Sequence, residues 1–460
     1  MNWGLLKNSL EVSLGATLAA GLFGIMAALW ASGLTGRARR WVLFLAAVPL
    51  LWPPFLVLNC WLNLLGDTGV WRSWFPFSIL SLGGAVWVLA LLKWPVIFFL
   101  ALGAWSRLDP SLLAADLRLR GWPLFRWLLW PQARASVALG FVITFVLCIN
   151  DLSVPSILQV KVFTTEIWIS FNTTFKYGTA LRASWPLVFA PLLLLLVFRR
   201  SEISLNWRSR RDLGPLLRGQ LGSAWPVAAG FSILVLAFSI VLPSLQLTGE
   251  DKTWRELASA WAAGTDAFAH SFIYAAGSVL ACLGLAAVLH AKKTGFILWF
   301  FFFLPGVVLG IILIFLLNRS WLRGVAQTGW IVLVAFAIRY GALAWSALRS
   351  WTRSVPANLD DDCRIMGARA WTRFRHLFWP THGPRLLGLA YIIYLLVLWD
   401  VETLIMIVPA GGETLALRIF NLLHYGHNGQ VNALCLILLL LGAAPLCCVA
   451  LLQKLLPAQN

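Results

Sequence analysis

Three carboxylates stand inside long apolar stretches: Asp151, Asp400 and Glu402. A charge at bilayer depth is costly, so such groups face the protein interior or water. Beside a solute path they would tolerate or steer a cation; in a broken helix they would cap free backbone groups or pair with Arg339. Both readings are open from the residues alone. His424 and His427 flank Tyr425 at a spacing that invites a metal, but without a third ligand they read as a polar patch at the membrane interface. The seven Cys include no C-x-x-C, so neither a disulfide framework nor a zinc site is expected. None of the eight Lys lies in a G-x-x-x-x-G-K-[ST] phosphate loop, and no Ser/His/Asp or Cys/His set recurs at catalytic spacing. The chain is expected to be no enzyme and to bind no cofactor of its own.

The elements that must position these acids are membrane spans. With 60% hydrophobic residues, 12% charged and a mean hydropathy of +0.81, the chain has too much apolar surface for an ordinary water-soluble core. Runs of about 20 residues, enough to cross hydrocarbon, cover 9–31, 42–65, 79–105, 135–158, 183–198, 226–245, 271–290, 296–317, 325–348, 386–408 and 431–453. An all-α integral membrane protein of about eleven transmembrane helices is expected. The run at 9–31 is too long and too early for a cleaved signal sequence and reads as a true span.

The net charge of +18 would suggest nucleic acid in a soluble chain. Here placement decides: 24 of the 36 Lys and Arg fall in alternate connections and the C-terminal tail, whereas the opposite connections carry 10 and the spans only Lys93 and Arg339. The positive-inside rule then puts the C-terminus in the cytoplasm and the N-terminus outside, with lipid rather than nucleic acid as the partner. The 27 Trp fit the same picture, since indole favours the membrane interface.

A ten-residue pattern occurs twice in the basic connections, as Trp122-x-x-Phe125-Arg126-x-Leu128-x-Trp130-Pro131 and Trp371-x-x-Phe374-Arg375-x-Leu377-x-Trp379-Pro380, and twenty residues beyond each Pro stands Asp151 or Asp400. Charge topology alone needs no aromatic register, so the chain reads as two homologous halves, 1–211 and 212–460, with elbows in 106–134 and 349–385. Six Arg between 199 and 224 mark the linker. Asn8-Ser9-Leu10 in the first half answers His270-Ser271-Phe272 in the second, each opening a helix rich in small residues that allow close helix approach. The second half carries an extra run, 226–245, whose counterpart is lost from the first half or lies before its start. Outer connections 159–182 and 409–430 share Phe-Asn and Tyr-Gly, as Phe171-Asn172 with Tyr177-Gly178 and Phe420-Asn421 with Tyr425-Gly426, and are expected to form short amphipathic helices.

In the second elbow Pro356 and Asn358 can start a short helix, Asp360, Asp361 and Asp362 suit its first turn, Gly367 allows a turn and Pro380 closes the segment. Asp361-Asp362-Cys363-x-x-x-Gly367, with Pro380 thirteen residues on, resembles the "EAA" loop of permease subunits in binding-protein-dependent ABC importers. The run Val408 to Ile419 (VPAGGETLALRI) is similar to ferric-iron type permeases, as is Asn150-Asp151-Leu152-Ser153-Val154-Pro155. The resemblance implies a type I importer architecture of two fused permease halves, coupled through Ala115, Asp116, Gly121, Phe125 and Pro131 in one and Asp361, Asp362, Gly367, Phe374 and Pro380 in the other. It implies two ATP-binding ATPase subunits that carry ATP and Mg, a periplasmic solute-binding protein, and a bacterial inner-membrane location. Ferric iron is the favoured cargo, with thiamine, polyamine, phosphonate and sulfate open; an ion-driven secondary transporter is the rival class. Asp361 stands where the family has Glu, and the first elbow has only Ala115-Asp116-Leu117 with ten residues from Gly121 to Pro131. Unequal docking contacts are therefore expected.

Overall fold

A computed structural model describes residues 3–67, 69–74, 76–115, 118–189, 192, 214–354, 363, 365–425 and 430–455. Among the described residues every regular element is helical, as a bilayer demands of a chain that must satisfy its own backbone. Six helices among the described residues are long and apolar enough to cross a membrane: Trp3–Ser32, Leu82–Trp105, Trp122–Ile149, Ala224–Gly249, Leu257–Leu289 and Trp330–Thr352. The runs at 386–408 and 431–453 appear in the helices Trp379–Leu398 and Val431–Leu455. Half of the run at 183–198 lies outside the described residues.

Two expected spans are sharply bent pairs of helices. The run at 42–65 is the pair Gly36–Leu51 and Pro54–Leu65, bent by 86°, and that at 296–317 is Gly295–Phe303 and Gly306–Leu317, bent by 117°. Proline decides both. Trp52 precedes Pro53 and lies at φ −89°, ψ 147°; Leu304 precedes Pro305 and lies at φ −73°, ψ 136°. Clash with the following ring disfavours the helical region for the residue before Pro, and Trp52 and Leu304 take the extended alternative, so the helix stops and restarts in a new direction.

The chain divides into two compact units, Met1–Ala258 with Leu422–Cys435, and Ser259–Asn421 with Leu436–Asn460. In the first, Trp3–Ser32 buries a stripe of small residues (Ser9, Ser13, Ala16, Ala20, Gly24, Ala27). Its backbone comes so near Leu82–Trp105 that a methyl on Gly24 would lie 2.8 Å from the Trp94 carbonyl oxygen. The second unit repeats the device on Leu257–Leu289, where Ala267, Ser271, Ala275, Ser278, Cys282 and Ala286 are buried. The extra run after the linker, Ala224–Gly249, packs within the first unit: Phe231 meets Phe23 at 5.8 Å between ring centroids, and Phe238 meets Trp61 at 5.7 Å.

Candidate functional site

The duplicated ten-residue pattern builds the same elbow twice. Residues Trp122–Leu124 form one helical turn, Phe125–Leu129 a wider π-helical turn, and Trp130–Ile149 a long helix with Pro131 as its second residue. Ala370–Arg373, Phe374–Phe378 and Trp379–Leu398 repeat the order with Pro380. The π turn has a local cause. Pro131 and Pro380 have no N–H to give to the carbonyls four residues back, at Trp127 and His376, so the preceding residue shifts register: Trp130 N–H donates to Phe125 O, and Trp379 N–H to Phe374 O.

Aromatic packing locks the turn. Trp122 stacks on Phe125 (5.3 Å, 26°) as Trp371 does on Phe374 (5.5 Å, 23°), and Phe125 leans on Trp130 (6.2 Å) as Phe374 does on Trp379 (6.1 Å). Each elbow begins at a glycine in the left-handed region, Gly121 at φ +60° and Gly367 at φ +75°, where a Cβ would be strained. The three extra residues of the second elbow, 368–370, lie between that glycine and the stacked Trp. Ile365 and Met366, just before Gly367, are 85% and 86% exposed. Ala115 ends the short helix Pro110–Ala115. Asp116, Asp361, Asp362 and the helix start expected at Pro356 lie outside the described residues.

Each elbow helix runs on to a break that carries an acid. After Ile149 the helix opens, and Asp151 Oδ1 accepts the Val154 N–H at 3.0 Å, capping Ser153–Ile157. After Leu398 it opens again, and Asp400 Oδ1 accepts the Thr403 N–H at 2.8 Å ahead of Leu404–Ile407. Both acids are buried and both meet a base from the preceding span: Lys93 Nζ lies 3.5 Å from Asp151, and Arg339 Nη1 lies 3.1 Å from Asp400. The second cluster is richer. Arg339 Nη2 bonds Glu402 at 2.7 Å, its Nη1 also donates to the Thr403 hydroxyl, and Tyr340 donates to Asp400 Oδ2 at 2.7 Å. Unwound backbone at membrane depth needs partners, and these carboxylates supply them.

Composition points to Lys93 and Arg339 as charges within spans, but Tyr340 and Thr403 carry no signal, since a hydroxyl in an apolar run is common. The parallel of Ser9 and Ser271 in the sequence has its reason in the structure. Ser9 Oγ accepts the Phe163 N–H and Ser271 Oγ the Leu415 N–H, each at 2.8 Å. These are the first residues of Phe163–Thr174 and Leu415–His424, the two short helices expected in the outer connections. A serine from the opening span thus satisfies an orphan donor of each. Ser271→Ala strands the buried Leu415 N–H and is expected to cost about 1–3 kcal/mol, read as a fall in the thermal midpoint in detergent; an unchanged midpoint would mean that water replaces the hydroxyl. His424 packs edge-on against Trp168 at 6.1 Å, and His427 lies outside the described residues. No group of three His, Cys, Asp or Glu suited to a metal occurs among the described residues.

Among proteins of known name, the chain is 20% identical over 430 residues to the Fe(3+)-transport system permease protein FbpB 2 of Haemophilus influenzae, covering 88% of this chain and 81% of that one. It is 22% identical over 468 residues to the ferric transport system permease protein FbpB of Actinobacillus pleuropneumoniae, covering 93% and 68%. A third match, 28% over 160 residues, is to the putative 2-aminoethylphosphonate transport system permease PhnV of Salmonella paratyphi A, covering 34% of this chain and 59% of the other. The chain is a transport-system permease, similar over most of its length to the ferric type. The resemblance read from the elbow and from VPAGGETLALRI is thereby borne out. No protein-family profile matches the permease, and no solved structure does.

Proposed function

We propose that this permease is the membrane part of an ATP-driven importer in a bacterial inner membrane. Its two elbows dock on two ATPase subunits that carry ATP and Mg, and a periplasmic binding protein delivers the solute at the opposite face. The observation that carries this reading is the duplicated elbow: glycine turn, stacked aromatics, π turn and proline recur with centroid distances within a few tenths of an ångström. A short rigid bracket built the same way twice suits a partner that comes as a pair. The exposed Ile365 and Met366 give the second elbow an apolar tip of the kind that marks protein contact. Closure of the ATPase pair then favours one arrangement of the spans, because the closed pair binds that arrangement better. The one-sided Arg and Lys distribution supports elbows and C-terminus in the cytoplasm and the N-terminus outside.

Ferric iron is the proposed cargo, on the likeness to ferric permeases along nine-tenths of the chain. In this reading Asp151, Asp400 and Glu402 hold the broken spans beside the path, their charge balanced by Lys93 and Arg339. The 28% identity to a phosphonate permease supports a second cargo, 2-aminoethylphosphonate. Vesicles containing permease, ATPase and binding protein are expected to accumulate ferric iron with ATP and not 2-aminoethylphosphonate; the reverse would transfer the cargo, and uptake by the permease alone on an ion gradient would replace the class. Gly367→Pro cannot adopt φ +75° and should leave insertion intact while ATPase co-purification falls at least about tenfold, given a strain of about 1–3 kcal/mol at the turn. Wild-type transport in that variant would remove the elbow from the mechanism.

A further inference from the structure

The first elbow is held by the linker. Helix Gly214–Leu221, at the end of the Arg-rich connection, reaches back to the first elbow through one residue. Gln220 is buried, with 5% of its surface exposed. Its Nε2 donates to Leu113 O at 2.7 Å, and its own carbonyl accepts the Gly121 N–H at 2.8 Å. The first bond grips the loop before residues 114–120 and the second grips it after them, at the left-handed glycine that opens the elbow. The same helix is fastened at its other side. Gly214 lies so close to the end of the first span that a methyl there would be 2.9 Å from Leu34 O. Arg218 covers the Trp225 ring at 4.2 Å, and Trp225 Nε1 donates to Trp30 O at 3.1 Å. Among the described residues of the second elbow, a local bond flanks the glycine, from Ala368 N–H to Cys363 O at 2.9 Å.

We propose that Gly214–Leu221 is a brace that closes the first elbow on itself and passes its displacement to the inner ends of Trp3–Ser32 and Ala224–Gly249, with Gln220 as the positioning residue. This rests on the elbow-docking reading above. The physical logic is one of stiffness. The first elbow lacks three residues and matches the docking motif poorly, so a partner grips it less well; tying both ends of its loop to two spans makes a weak push sufficient, because a load cannot be lost in bending the loop. A hydrogen bond from a buried amide is directional and short, and it transmits displacement only while it is intact.

The test is carried out on the full importer in vesicles, measuring solute moved and ATP consumed in the same sample. Gln220→Met keeps the length of the side chain and removes the donor. ATP turnover is expected to persist while solute moved per ATP falls about tenfold, the equivalent of one lost buried hydrogen bond. Trp225→Phe, which keeps a ring under Arg218 and removes the bond to Trp30, should lower the same ratio by a smaller factor and serves if Gln220→Met fails to assemble. An unchanged ratio in assembled variants, with or without a lower melting temperature, overturns the brace and leaves Gln220 a stabilising residue only. Failure of the docking reading looks different: the wild-type permease would then neither bind an ATPase nor couple to its turnover.

Discussion

Arg339→Met is expected to destabilise the permease by about 3–5 kcal/mol, because removing one partner of a buried ion pair leaves the other uncompensated. Here two carboxylates are left. Asp400 and Glu402 both lean on the one guanidinium, at 3.1 and 2.7 Å, and the Thr403 hydroxyl also accepts from it. Asp400 would retain the Tyr340 hydroxyl and the Thr403 N–H, which satisfy its lone pairs but supply no positive charge. The expected observation is a large drop in monodisperse protein after detergent extraction, with a lower thermal midpoint in what survives. Adding Asp400→Asn and Glu402→Gln to Arg339→Met should recover most of the loss, since the uncompensated charges are then gone. A single variant that melts with the wild type would mean that water reaches the cluster. Lys93→Met should do less, for Lys93 faces one acid at 3.5 Å and keeps about a quarter of its side chain exposed.

Gly306→Ala adds only a methyl and is expected to cost about 1–3 kcal/mol through overpacking. Gly306 starts the second arm of the bent pair Gly295–Phe303 and Gly306–Leu317, and that arm is pressed against the charge cluster. A Cβ built there would overlap Arg339 Nη1 and lie 2.7 Å from the Thr403 hydroxyl and 2.8 Å from Glu402 Cβ. Glycine at this place is therefore a condition for the ion pairs. The signature is coupling: in an Arg339→Met background the alanine should cost less than in the wild type, by more than about 0.5 kcal/mol, because the two changes strike one contact. Strict additivity of the two thermal shifts would show that the bend and the cluster are independent.

The elbows and the intramembrane acids were legible because they repeat. Trp122 and Trp371, Pro131 and Pro380, Asp151 and Asp400 stand at the same spacing, and duplication separates a maintained pattern from chance composition. The bends at Pro53 and Pro305 were only partly legible: the residue before proline is biased away from the helical region, yet Trp130 and Trp379 stay in it, and hydropathy alone reads one span through each bend. Gln220 gave no local sign at all. Its partners, Leu113 and Gly121, are about a hundred residues away, and one of its bonds uses only main-chain atoms, which any residue could supply.

Short-range chemistry and partition between water and lipid follow from local composition, and they account for a helical membrane protein, a repeated elbow pattern, a one-sided distribution of cations, and acids that had to find partners inside. Which partners those are came from the packed chain: Lys93 and Arg339 for the acids, Ser9 and Ser271 for the helices Phe163–Thr174 and Leu415–His424, and the linker helix for the first elbow. The physical reason is that burial energy depends on composition and is nearly blind to direction, whereas an ion pair or hydrogen bond depends on a few tenths of an ångström between residues far apart in the chain.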